Sequence, residues 1–149
     1  MSESSPYDDV LMDHIKNARN YYVPDGANQS ATGTNPLCGD ELTVYLNIAN
    51  EDITEIAFQC TCCGISMASA SIMTEVIKGK NVPAAKRLLQ PFVAVLLGRA
   101  AQTSPDTTPE QRIIFDTVQK YPARSRCAVL PWATLEGALD KRNETILLP

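Results

Sequence analysis

The chain has 149 residues, a length that suits one domain built round a single core. Apolar residues make up 44% and charged residues 20%, near the averages for soluble globular proteins, so disorder, collagen and repeat arrays are excluded. A net charge of -4 leaves no basic field to gather nucleic acid or an anionic membrane, and points to a protein or a small species as partner.

The opening Met1-Ser2-Glu3-Ser4-Ser5-Pro6 has no basic run followed by an apolar one, and no stretch approaches the length of a membrane span. A cytoplasmic setting is therefore expected. The five cysteines should be reduced there, which argues against a disulfide framework and for metal or thiol chemistry.

Residues 1–6 are expected to form a flexible tail within a single domain over 1–149. Val10, Leu11, Ile15 and Ala18 recur at helical spacing over 7–18, with Asp8 and Asp9 placed to complement the helix dipole. Residues 24–36 are rich in Gly, Asn, Ser and Thr and predict an exposed loop. Over 42–48, Leu42, Val44, Leu46 and Ile48 alternate on one strand face, and a second strand is expected over 53–58. The short Asn50-Glu51-Asp52 connection favours an antiparallel hairpin.

Helices should follow. One is predicted over 64–78 with Gly79 as its stop, and another over 83–97 interrupted near Pro91, which lacks a backbone donor. Residues 102–109 read as a linker, with Thr108 as N-cap and Pro109 at the first helical position of a helix over 110–120. A last helix is expected over 125–139. The fold class is α+β: a small antiparallel sheet packed on one face by several helices.

Cysteine stands at 38, 60, 62, 63 and 127. A lone cysteine is more often a small buried apolar residue. Here Cys38 follows a Gly-rich loop with little core to fill, while Cys60, Cys62 and Cys63 crowd a strand-to-helix junction. Cys127 starts a helix, whose positive dipole end stabilises a thiolate. Asp40 lies two residues beyond Cys38, with Gly39 freeing the backbone between them. An aspartate is a legitimate zinc or iron ligand, although in such a turn it is as readily an ordinary turn residue. If strand geometry persists, Cys60 and Cys62 share one face and Cys63 takes the other. His14, the sole histidine, reads as a surface or capping residue; Ser66, Ser69 and Ser71 read as close helix packing.

Four ordered motifs carry a family resemblance over about residues 11–139. Met12-Asp13-His14-Ile15-Lys16-Asn17-Ala18-Arg19-Asn20 resembles the opening MDHxKNPRN of the SufU/IscU family of iron–sulfur assembly proteins. Asn35-Pro36-Leu37-Cys38-Gly39-Asp40 is similar to its NPxCGD loop, and Cys63-Gly64-Ile65-Ser66-Met67-Ala68-Ser69-Ala70-Ser71 to its second-cysteine helix. Tyr121-Pro122-Ala123-Arg124-Ser125-Arg126-Cys127, with Trp132, Leu135 and Glu136, resembles its third-cysteine segment. Arg126, where IscU-type members have histidine, and the long spacing from Cys63 to Cys127 favour the SufU branch.

That resemblance implies Zn2+ held by Cys38, Asp40, Cys63 and Cys127, with Cys38 as acceptor of persulfide sulfur from a SufS-type cysteine desulfurase. It implies a sulfurtransferase-type relay to downstream iron–sulfur assembly or acceptor proteins, more than a stand-alone enzyme. The alternative is a scaffold that builds and transfers an Fe–S cluster. Arg126 is an accessory residue able to pair with Asp40. Cys60 and Cys62 replace the glycines of the family's GxGC and are accessory thiols: alternative ligands, a second metal's ligands, a local disulfide on oxidation, a resolving thiol toward a persulfide, or neutral changes.

Overall fold

The computed structural model describes residues 6–37, 39–140 and 146–148. In chain order it contains α1 (Pro6–Lys16), β1 (Gln29–Asn35), β2 (Asp40–Ala49), β3 (Asp52–Thr61), α2 (Gly64–Ile77), α3 (Val82–Leu96), α4 (Pro109–Lys120), a 3-10 turn (Pro122–Arg124), α5 (Ser125–Leu139) and β4 (Ile146–Leu147). The sheet order is β3-β2-β1-β4. β1, β2 and β3 pair antiparallel, and the short β4 joins β1 in parallel.

The expected α+β architecture is present: three antiparallel strands under a layer of helices. The hairpin forms because Asn50 (φ 52°) and Glu51 (φ 68°) both adopt the left-handed conformation. A two-residue turn of that kind matches the right-handed twist of the flanking strands. Leu42, Val44 and Leu46 of β2 and Ile56 and Phe58 of β3 all point to one face and are fully buried. Against that face lie α5 and α2, with α1 packed on α2 and α3 on α5. Trp132 of α5 is also fully buried and meets Phe92 of α3 edge-to-face at 4.9 Å.

Three expectations are corrected. The loop predicted over 24–36 contains β1, a strand whose small and polar residues conceal it. Its inward residues are Ala31, Gly33 and Asn35 because α5 passes too close for larger ones. A Cβ on Gly33 would fall 1.9 Å from Thr134 Oγ1 and 3.2 Å from Leu130 Cδ1. Gly33→Ala should therefore cost about 1–3 kcal/mol by overpacking, read by urea denaturation. Adding Thr134→Ala, which removes the nearest atom, should restore part of the loss.

The second correction is that α3 runs unbroken through Pro91. Proline withdraws one donor from the carbonyl four residues back, and that residue, Arg87, is exposed, so water can take its place. The flanking Leu89, Phe92, Val93 and Leu96 are buried and hold the helix together. Thirdly, Pro6 is the first residue of α1, so the tail cannot extend to 6; residues 1–5 lie outside the described residues. The 3-10 turn and β4 were not predicted. The capping of α4 matches the sequence: Thr108 and Gln111 form a reciprocal capping box ahead of Pro109.

His14 corrects a further expectation, since it is only 6% exposed. Its Nδ1 lies 2.6 Å from Ser71 Oγ, which itself accepts the Arg19 N–H at 2.8 Å. The other ring nitrogen, Nε2, lies 3.7 Å from Glu75. Burial, and then the charge of Arg19, hold the His14 pKa below the ordinary histidine value. The unfolded chain consequently binds this proton more readily. The His14 contribution is intact above about pH 6.5 and is lost as pH falls from there toward the folded value. Denaturation midpoints should drop more steeply with acidification in wild type than in His14→Gln protein.

Candidate metal centre

Three elements end at one place. Asp40 is the first residue of β2, Cys63 is the N-cap of α2 and Cys127 is the third residue of α5. The register of the sheet explains the first two. Asp40 pairs with Asn35 and Glu41 with Thr61, so the β1–β2 turn and the β3–α2 junction open on the same end of the sheet. Packing of α5 across β1 and against α2 brings in the third. One carboxylate oxygen of Asp40 and the sulfurs of Cys63 and Cys127 lie within 4.8 Å of one another. Asp40 and Cys127 are buried, and Cys63 is half-buried.

Ser66 Oγ stands among all three, 3.2 Å from Asp40 Oδ2, 3.6 Å from Cys63 Sγ and 2.8 Å from the Cys127 carbonyl oxygen. The carbonyl contact has a sequence cause. Pro131, four residues on, cannot donate to Cys127 in the helical pattern, and the Ser66 hydroxyl supplies the missing donor. With a single proton, that hydroxyl serves one acceptor at a time, and the shorter contact is to the carbonyl. One turn along, Ser69 Oγ donates to Ala128 O at 2.6 Å and accepts from Trp132 Nε1 at 2.9 Å. The serine spacing read as close packing is thus a hydrogen-bonded seam that fixes the start of α5 on α2. Its part in the site went unread, although Pro131 four residues after Cys127 marks an orphaned carbonyl.

The turn beside Asp40 is equally ordered. Asn35 Oδ1 accepts from Leu37 N–H at 3.3 Å and Gly39 N–H donates to Asn35 O at 2.9 Å. Gly39 has φ +76°, a conformation that suits glycine. Arg126 Nε donates to Asn35 Oδ1 at 3.1 Å, and its terminal nitrogen reaches Leu148 O at 3.5 Å. Arg126 therefore braces the turn against the C-terminal strand. Gly64, next to Cys63, leaves room for Ile15 of α1, whose Cδ1 would lie 3.2 Å from a Cβ there.

Cys38 lies outside the described residues. Of the other predicted site residues, Asp40, Cys63 and Cys127 are together, and Arg126 directly precedes Cys127 in α5. Cys60 and Cys62 are joined to each other by a disulfide, with Cα atoms 5.4 Å apart. This corrects the expectation of fully reduced cysteines. Residues two apart on a strand share a face about 6.6 Å apart; β3 ends at Thr61, so Cys62 is released from the extended spacing.

Residues 6–128 match the family described as the NifU-like N terminal domain. The chain belongs to this family. Among its relatives, the zinc-dependent sulfurtransferase SufU of Bacillus subtilis is 36% identical over 139 residues, covering 92% of this chain and 91% of SufU. The iron–sulfur cluster assembly scaffold protein IscU 1 of Archaeoglobus fulgidus is 36% identical over 138 residues, covering 93% and 84%. A crystal structure described as a SUF-system iron–sulfur cluster assembly scaffold, from Fervidobacterium islandicum AW-1, superposes with a TM-score of 0.79. It is 31% identical and covers 91% of this chain and 96% of its own. The α+β fold is therefore the family's fold. Among the described residues, no helix is long and apolar enough to cross a membrane.

The donor set fits a bound metal. Thiolate sulfur and carboxylate oxygen are both zinc ligands, and tetrahedral coordination at about 2.0–2.3 Å puts ligand atoms roughly 3.5–3.8 Å apart. A group already drawn within 4.8 Å needs little movement to close on an ion.

Proposed function

We propose that the chain, acting as one SufU/IscU-like domain, is a zinc-dependent sulfur acceptor in iron–sulfur cluster assembly. The observation that carries this reading is the convergence of Asp40, Cys63 and Cys127 from three separate elements. Cys38, two residues before Asp40, is the fourth ligand and the acceptor. Zinc in this site would supply a fixed positive charge without redox chemistry of its own.

The residues divide the work. Asp40, Cys63 and Cys127 hold the ion from rigid elements, and Ser66 keeps the first turn of α5 at its distance from α2. The Cys38 thiolate attacks the terminal sulfur of a persulfide on a cysteine desulfurase. The new sulfur–sulfur bond forms on Cys38, and the desulfurase cysteine leaves as thiolate. Downstream iron–sulfur assembly proteins would take the sulfur.

Purified protein should be colourless and contain about one zinc per chain. Cys63→Ser and Cys127→Ser should each lose most of it, whereas Asp40→Ala should weaken retention while leaving the acceptor thiol. Undiminished zinc in Cys127→Ser protein would overturn the assignment of ligands. A second reading, a scaffold carrying a nascent cluster, draws on the IscU relatives and on the two further thiols beside Cys63. A brown protein with iron and sulfide in equal amounts would favour it.

A further inference from the structure

Cys60, Thr61, Cys62 and Cys63 run directly into the centre, yet only Cys63 belongs to it. The other two cysteines are differently held. Cys60 lies within β3, opposite Leu42, and its peptide group is clamped by the Tyr21 hydroxyl. That hydroxyl donates to Cys60 O at 3.1 Å and accepts from Cys60 N–H at 3.4 Å. Cys62 lies beyond the end of the strand, in the two residues before α2 that have no regular structure. Both are half-buried, so solvent and a second thiol can reach them. The pair is thus a fixed thiol and a freer one, already close enough to join, with the freer one next to a ligand.

We propose that Cys60 and Cys62 form an internal reductant that converts the sulfur received by the centre into sulfide. The inference rests on the reading of Cys38 as persulfide acceptor. The Cys62 thiolate attacks the outer sulfur of the Cys38 persulfide; a bond forms from Cys62 to that sulfur, and Cys38 leaves as thiolate. The Cys60 thiolate then attacks the Sγ of Cys62. The Cys60–Cys62 disulfide forms, the bond to the carried sulfur breaks, and hydrosulfide leaves. The dithiol gives up two electrons and the sulfane sulfur gains two. Of the two thiol protons, one returns to Cys38 and one departs with the sulfide. A small dithiol or a dithiol-bearing reductase protein would reopen the disulfide for another turnover. The Cys60–Cys62 pairing in the structure has the connectivity that this cycle would produce.

The test uses full-length, zinc-loaded protein that is reduced with dithiothreitol and then freed of it. The protein is treated with glutathione persulfide, with no other reductant present. Sulfide is measured, and peptides are mapped by mass. Wild type should release about one sulfide per chain and lose the mass of two hydrogens between Cys60 and Cys62. Cys60→Ser should stall with the extra sulfur on Cys62, and Cys62→Ser should stall with it on Cys38, both releasing only background sulfide. Sulfide release from the Cys62→Ser variant equal to wild type would overturn the inference alone, since Cys38 would still be seen to accept. Absence of extra sulfur from Cys38 in the Cys62→Ser variant would overturn the acceptor reading, and this inference with it. Serine is close to cysteine in size, and zinc content and thermal midpoint of each variant report whether it has folded.

Discussion

Cys38→Ala protein should accept no sulfur. Incubated with a cysteine desulfurase and cysteine, it should leave desulfurase turnover at the rate of that enzyme alone, and no persulfide mass should be found on it. The loss should be complete because the remaining predicted ligands are committed elsewhere: Cys63 and Cys127 are held on helix starts against Ser66 and Asp40. Zinc should be weakened in this variant and not abolished, since three donors remain. If Cys38→Ala protein took up labelled sulfur as well as wild type, the acceptor would have to be sought among the thiols of residues 60–63.

A second large effect is expected far from any sulfur. Trp132→Ala should cost about 3–5 kcal/mol and lower the thermal midpoint by about 10 °C or more. The indole is fully buried, packs edge-to-face on Phe92, and gives its N–H to Ser69. Truncation would leave a cavity between α3 and α5 and free the hydroxyl that holds the first turn of α5. Trp132→Phe, which keeps most of the ring volume, should cost only about 1–2 kcal/mol by loss of the hydrogen bond. Calorimetry checks both. A Trp132→Ala midpoint within error of wild type would mean that α5 is held by something other than this packing.

The elements legible in the sequence were those whose burial is written in apolar residues. The alternation of Leu42, Val44 and Leu46 and the Gly79 stop of α2 needed no tertiary information, and α5 was predicted to its observed ends. β1 was illegible because its burial is written in small residues: Ala31 and Gly33 are chosen by the approach of Thr134 and Gly137, over a hundred positions away. The same holds for α3, where local chemistry at Pro91 opposed the helix and packing of Phe92 and Leu89 overrode it. At the site, the clustered cysteines pointed to metal or thiol chemistry, and the family resemblance picked out Asp40, Cys63 and Cys127, which the fold brings together. The roles of Ser66 and Asn35 were hidden, since each answers a backbone or side-chain group supplied by α5.

The hairpin register has a consequence for the order in which the protein assembles. β2 and β3 are joined by a two-residue turn, so their pairing closes a short loop and can form early. That step alone sets Asp40 and Cys63 at one end of the ribbon. Cys127 arrives only when α5 docks, across a separation of 64 residues from Cys63 (127 minus 63). An unfolded or half-assembled chain therefore lacks the Cys127 donor at the site. Metal capture would then favour the finished fold over every earlier species, making the ion a latch on α5 as well as an aid to chemistry.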